Sequence, residues 1–167
     1  FYPGSKTDEE SRYCRLISHY KPQSPMAEAY RNISTNLRLN SSSRKTIMVT
    51  SSGPQEGKSS IVCNLGIVMG QVGLKTLLVS TDLRRPVLAK TFGIKRDPGL
   101  NEFFMGTAEL GAILNNITDI MLGDMKFEDV RKTPGIENIS ILTSGHLPAN
   151  PVELLESKKM KDLIDRL

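Results

Sequence analysis

One stretch constrains this chain more than any other. Thr46-Ile-Met-Val-Thr50 is a short apolar, β-rich run that leads straight into Ser51-Ser-Gly-Pro-Gln-Glu-Gly-Lys-Ser-Ser60. Ile61, Val62, Leu65, Val68 and Met69 then follow at helical spacing, and Gly70 to Gly73 ends that helix. A buried strand, a tight turn and a helix in succession aim several backbone N–H groups at one point, where the helix N-terminus adds partial positive charge. Gly57 lets phosphate oxygens approach the backbone. Lys58 supplies a point charge for β- and γ-phosphates, and the Ser59 hydroxyl is placed to ligate Mg²⁺. The usual spacing, G-x-x-x-x-G-K-[ST], needs Gly at position 52, but Ser52 stands there and Gly53 comes one place late, so the match is to a deviant form. The plainer reading is a Gly/Pro turn joining strand to helix. Placement between an apolar strand and an apolar helix favours phosphate binding, by Gly53, Pro54, Gln55, Glu56, Gly57, Lys58, Ser59 and Ser60.

A second apolar run, Lys75 to Thr81, reads as another buried strand. Two strands joined by a helix of this length form a βαβ unit and imply a parallel sheet. The carboxyl ends of neighbouring parallel strands face one crevice. Asp82, just past the second strand, is therefore expected near the phosphate loop, where it could hold a magnesium-bound water or orient an attacking hydroxyl. Arg84 and Arg85 could neutralise phosphate charge. The plainer readings are a turn or cap for Asp82 and surface charge for the arginines.

Around this centre the chain reads as one α/β domain, since 167 residues would be cramped for two. Residues 1–24 are polar and aperiodic and read as a linker or arm; the domain is expected over 25–167. Ser24 is placed as the N-cap of a helix that begins at Pro25 and carries Met26, Tyr30, Ile33 and Leu37 on one face. Short helical patches are expected at 87–92, 100–105 and 110–122. A third strand is expected at 137–143, and a closing helix at 151–167 capped by Asn150. The formal charge of +4 is mild and its basic residues are scattered, and aromatics are 5% with no Trp, so no platform for stacking single-stranded nucleic acid is present. No apolar run approaches the ~20 residues of a membrane-spanning helix. Cys14 and Cys63 have no metal spacing and exclude a disulfide framework.

Four blocks together carry a resemblance: Ser24-Pro-Met-Ala-Glu-Ala-Tyr-Arg31, Ile47 to Ser59, Leu77-Leu-Val-Ser-Thr-Asp-Leu-Arg-Arg-Pro86, and Leu142 to Leu155 (LTSGHLPANPVELL). In these the chain resembles the cytoplasmic kinase domain of bacterial tyrosine kinases attached to polysaccharide co-polymerases of capsule and exopolysaccharide export. The resemblance implies a P-loop NTPase fold, a parallel sheet flanked by helices, akin to partition and septum-placement ATPases. It implies ATP and Mg²⁺ as cofactors, autophosphorylation on a tyrosine-rich tail, and a ring-like homo-oligomer. It places the domain at the cytoplasmic face of the inner membrane, with a membrane-embedded co-polymerase segment or activator as partner and no nucleic acid.

The family's functional residues map unevenly. Its phosphate-loop lysine and hydroxyl fall on Lys58 and Ser59. Of its second-strand Asp-x-Asp-x-Arg, the second Asp falls on Asp82 and the Arg on Arg84, giving Lys58, Asp82 and Arg84 as catalytic candidates and Ser59 and Asp82 as magnesium ligands. The first Asp falls on Ser80. Of the assembly motif E-x-x-R-x-x-R, Glu28 and Arg31 match and the last Arg falls on Ser34. The family's third acidic strand motif would follow about where Leu167 stands, so the domain is expected to be truncated before that Walker B strand or completed by a partner. These departures leave a second reading open: a catalytically weak nucleotide-binding regulator acting through assembly and chain-length control. A DNA-partition ATPase is a third, supported only by the mild charge excess.

Overall fold

The structure, a computed structural model, describes residues 15–39, 46–116 and 134–167. A three-stranded sheet lies between two groups of helices. Its strands are β1 (Thr76–Val79), β2 (Leu114–Asn116) and β3 (Ile139–Leu142), in the order β1-β3-β2. β1 and β3 run parallel, with Leu78 opposite Ile141. β2 runs antiparallel to β3, with Leu114 opposite Leu142, so the sheet is mixed rather than wholly parallel.

The two-residue period of a strand sends alternate side chains to opposite faces. Leu78, Ile139 and Ile141 point to one face, where they meet Leu16, Cys63, Ile67, Leu88, Phe92 and Ile136. Leu142 points to the other, against Leu83, Leu100, Phe104, Ile113 and Leu163, with Leu77 and Val79 alongside. Burial on both faces explains why β1 and β3 read as continuous apolar runs. Each fully buried Ile or Leu contributes about 1.5–3 kcal/mol.

The first face is covered chiefly by the helix α3 (Lys58–Gln71), preceded in the chain by α1 (Ile17–Tyr20) and α2 (Pro25–Leu39). Residues 63–70 of α3 are all buried, because sheet, α1 and α2 surround it. Its small residues set the spacing. A Cβ on Gly66 would stand 2.5 Å from Leu78 Cδ2, and one on Gly70 would stand 2.6 Å from Ile139 Cγ1. Past Gly70, the chain leaves the helix through Gly73, at φ +83°.

The other face is covered by α5 (Leu100–Met105) and α6 (Leu110–Ile113), which follow α4 (Leu88–Phe92) in the chain, and by α8 (Lys158–Arg166), which follows α7 (Pro151–Glu156). Lys159 Nζ donates to Phe104 O at 2.9 Å, placing a cation at the carboxyl end of α5.

Several expectations are corrected. Thr46–Thr50 is not a strand: it pairs with nothing among the described residues, and Ile47 and Met48 are 46% and 84% exposed. A strand forms only against a ladder partner, and no described strand lies beside this run. The expected βαβ unit is therefore lacking its first strand. On α2 the buried stripe is Ala27 and Ser34, with Tyr30 and Leu37 packed on Leu65, Val68 and Met69; Met26 and Ile33 are exposed. Small side chains at 27 and 34 share the buried face with Tyr30 and Leu37, which leaves Met26 and Ile33 pointing outward. Ser24 does cap this helix, accepting Ala27 N–H at 3.2 Å.

Within the expected arm, residues 15–20 are packed rather than free. Leu16 is buried, and the Asn64 side chain accepts Ser18 N–H at 2.8 Å and donates to Arg15 O at 2.7 Å. Residues 1–14 lie outside the described residues. The helix expected at 110–122 ends at Ile113 and turns into β2; 117–122 lie outside the described residues. Asn115 Nδ2 reaches both Ile113 O and Ile141 O, a local alternative to helix hydrogen bonding. Before β3 a 3₁₀ turn occupies Ile136–Asn138. The closing helix breaks at Ser157, whose hydroxyl caps α8 by accepting Met160 N–H at 3.2 Å. Asn150 stands at the start of α7 but donates its amide to Glu153 Oε2 rather than capping the backbone.

Candidate functional site

The loop before α3 is held by its own side chains. Glu56 Oε2 accepts Gly53 N–H at 2.9 Å, and its carboxylate also accepts the Ser52 hydroxyl at 3.2 Å. The Gly53 hydrogen bond, with help from Ser51 and Ser52, keeps the exposed Glu56 carboxyl below its ordinary range. Ser51 Oγ donates to Gly53 O at 2.8 Å. Lys58 folds back over this loop, its ammonium donating to Ser51 Oγ at 2.8 Å and Gly53 O at 2.9 Å.

Two backbone conformations shape the turn. Gln55 has φ +62° and Gly57 has φ +93°. Gly57 is the N-cap of α3, and no side chain caps this helix. The first ladder bond is Ile61 N–H to Gly57 O at 2.9 Å. The amides of Lys58, Ser59 and Ser60 therefore have no partner among the described residues, at the positive end of a 14-residue helix. A Cβ on Gly57 would meet nothing within 4 Å, so the space in front of the turn is open. Three free amides, an ammonium and a half-buried hydroxyl on Ser59 are a donor set that fits an anionic polyphosphate with its divalent cation.

The residues expected opposite the loop are placed less tightly. Asp82 is exposed, and its Oδ1 accepts Arg84 N–H at 3.2 Å and Arg85 N–H at 2.9 Å. That is the turn role weighed from the sequence, and it leaves Oδ2 available. No hydrogen bond or ion pair joins Asp82 or Arg84 to Lys58 or Ser59 among the described residues. Ser80 is buried just past β1, its amide donating to Leu142 O at 2.9 Å. Its neutral hydroxyl supplies no carboxylate there. Glu28 and Arg31 do pair, Nε to Oε2 at 2.8 Å, and the same guanidinium donates to Pro22 O at 2.7 Å. The Glu28 side chain is exposed, the Arg31 side chain is half-buried, and Ser34 is buried.

No family model matches the chain, but individual proteins do. It is 35% identical over 150 residues to the tyrosine-protein kinase YwqD of Bacillus subtilis, an alignment that covers 89% of this chain and 56% of that protein. It is 33% identical over 141 residues to the tyrosine-protein kinase CpsD of Streptococcus pneumoniae, covering 84% and 55%. The chimerical protein CapA2B2 superposes with a TM-score of 0.75 at 30% identity, covering 92% of this chain and 61% of that one. The chain is related to the bacterial tyrosine kinases. The kinase domain of the Escherichia coli tyrosine kinase ETK superposes with a TM-score of 0.73 at 25% identity over 90% of this chain and 53% of that domain. The resemblance read from the four sequence blocks thus holds for the α/β fold as well. The chain spans a little over half the length of YwqD. No helix among the described residues is long and apolar enough to cross a membrane.

What sequence reasoning missed at the site is the inward-folded Lys58, the left-handed Gln55 and the role of Glu56 as the clasp of its own loop. The Ser-Ser before Gly53 and the Glu three residues after it were a legible signal for that clasp, in the manner of a capping box.

Proposed function

We propose that this chain forms the nucleotide-binding part of a bacterial tyrosine autokinase that regulates capsule or exopolysaccharide biosynthesis. The observation that carries this reading is the uncapped start of α3, where left-handed Gly57 leaves the Lys58, Ser59 and Ser60 amides without a partner among the described residues and the Lys58 ammonium folds over the same loop. ATP with Mg²⁺ would supply the transferable phosphoryl group and the cation that offsets its charge. The three amides and Lys58 would hold the β- and γ-phosphates, with Lys58 exchanging Ser51 and Gly53 for phosphate oxygens. Gly53 to Glu56 form the wall of the loop. Ser59 and Asp82 Oδ2 would face the cation, and Arg84 would offset charge on the transferred group.

A second reading is favoured by Ser80. Charge neutralisation around the metal governs phosphoryl transfer, and loss of one carboxylate there removes orders of magnitude in rate while phosphate binding persists. The chain would then act as a weakly catalytic, nucleotide-gated assembly module. In either case self-association is proposed through the Glu28–Arg31 pair of α2, next to a membrane-embedded co-polymerase partner at the cytoplasmic face.

The test is a titration with labelled ATP and magnesium, followed by anti-phosphotyrosine detection on the parent and on Ser80→Asp. Saturable binding with phosphotyrosine in the parent supports the autokinase. Saturable binding with signal only in Ser80→Asp supports the weak module. Absence of saturable binding overturns both.

A further inference from the structure

A second cluster of ionisable groups lies away from the phosphate loop. Asp97 stands before α5, Glu102 in its first turn, and His146 in the loop that leaves β3. One ligand atom from each lies within 4.8 Å of the others. His146 Nδ1 is 2.8 Å from Glu102 Oε1 and 3.4 Å from Asp97 Oδ1. We propose that Asp97, Glu102 and His146 form a binding site for a first-row transition-metal ion, with zinc as its best fit.

The donor set argues for the ion. Zinc binds imidazole nitrogen at about 2.0–2.1 Å and carboxylate oxygen at about 2.0–2.2 Å in a tetrahedron, which puts neighbouring ligand atoms about 3.3 Å apart. The His146–Asp97 separation of 3.4 Å already has that value. The shorter His146–Glu102 separation is a shared proton, and a metal that replaces the proton opens it by about 0.5 Å. Imidazole selects zinc and its neighbours over magnesium, so a magnesium nucleotide at the loop does not compete for this site.

The scaffold is built before the ion arrives. Glu102 Oε2 accepts Gly99 N–H at 2.7 Å, and Oε1 accepts His146 N–H at 3.1 Å. Backbone bonds brace the same segments: Leu100 N–H to Thr143 O at 2.9 Å and Asn101 N–H to Ser144 O at 3.0 Å. Gly145, at φ +70°, sits against the Glu102 carboxylate with no room for a Cβ. Such outer contacts hold ligands in orientation. The Arg96 guanidinium, 3.4 Å from Asp97 Oδ1, is the one cation in contact among the described residues, and its side chain is partly exposed. His146 is 66% exposed, which gives the ion a path in and leaves a fourth position for water. Bound metal would tie the start of α5 to the loop leaving β3.

The test uses chain freed of metal with chelator. Zinc is titrated by equilibrium dialysis and by thermal unfolding, and cobalt serves as a spectroscopic probe. The expected result is one ion per chain, visible ligand-field absorption with cobalt, and a Tm rise of about 5 °C or more at a hundredfold excess over Kd. Magnesium at the same concentration gives no rise. His146→Ala and Asp97→Asn, each shown by circular dichroism to be folded, lose the bound ion, the absorption and the Tm rise. No zinc bound below about 1 mM, or zinc retained in either variant, overturns the proposal.

Discussion

The Lys58 ammonium lies 2.8 Å from the Ser51 hydroxyl, folded back across the loop that precedes it. The charge that would meet a phosphate is thus held in place by neutral oxygens that a phosphate can displace. Lys58→Ala is expected to weaken Mg·ATP binding by tenfold to a hundredfold, matching the roughly 1.5–3 kcal/mol of hydrogen bonds to a charged group. Its two loop bonds are partly solvated, so Tm should stay within a few degrees. Isothermal titration and a melting curve on the same sample check both halves.

Gln55→Gly is expected to stabilise the fold. A side chain in the left-handed region costs about 1–2 kcal/mol, and glycine returns about 0.5–1 kcal/mol of that as chain entropy. Urea unfolding should therefore show a gain of up to about 1 kcal/mol; a loss would mean that the Gln55 side chain makes compensating contacts.

How far these features could be read from sequence divides by residue. β1, β3, α3 and the phosphate loop were legible because each follows a local rule: apolar runs buried on both sides, and small residues where backbone must be bare. The face of α2 was misread because Met26 and Ile33 are apolar, whereas the small Ala27 and Ser34 take the buried face instead. Thr46–Thr50 reads as a strand by composition, but a ladder needs a neighbour that composition does not reveal. Asp97, Glu102 and His146 come from three separate segments, and only the fold brings them together.

Gly66→Ala should be costly. The new methyl would meet Leu78, itself buried in the sheet face, at 2.5 Å. Overpacking of this kind costs about 1–3 kcal/mol. A matched Gly111→Ala, where a Cβ meets nothing within 4 Å, serves as the control and should be neutral or mildly stabilising. Comparable midpoints in denaturant for the two variants would refute the close approach of α3 to β1.

Cys63 makes stability depend on alkaline pH. Burial pushes its thiol up to about 12 in the folded chain, against an opposing pull from Arg15. The unfolded thiol ionises near 8.5, so above that value the unfolded state binds fewer protons and folding weakens as pH rises towards 12. The contribution is fully present below about 8.5. The parent should lose up to about 1.4 kcal/mol per pH unit across that window, and Cys63→Ala should flatten this slope while lowering stability at neutral pH. Denaturant midpoints at pH 8 and 10, compared between the two proteins, supply the difference.

Thr46–Thr50, which pairs with no strand among the described residues, gives the phosphate loop an asymmetric suspension. Downstream it is bolted to a helix whose residues 63–70 are all buried; upstream it arrives along five residues that no ladder fixes among the described residues. An anion gathering the loop amides would restrain that approach as well. Occupancy and upstream order would then rise together, and amide exchange at Ile47 and Met48 would report what is bound ten residues further on.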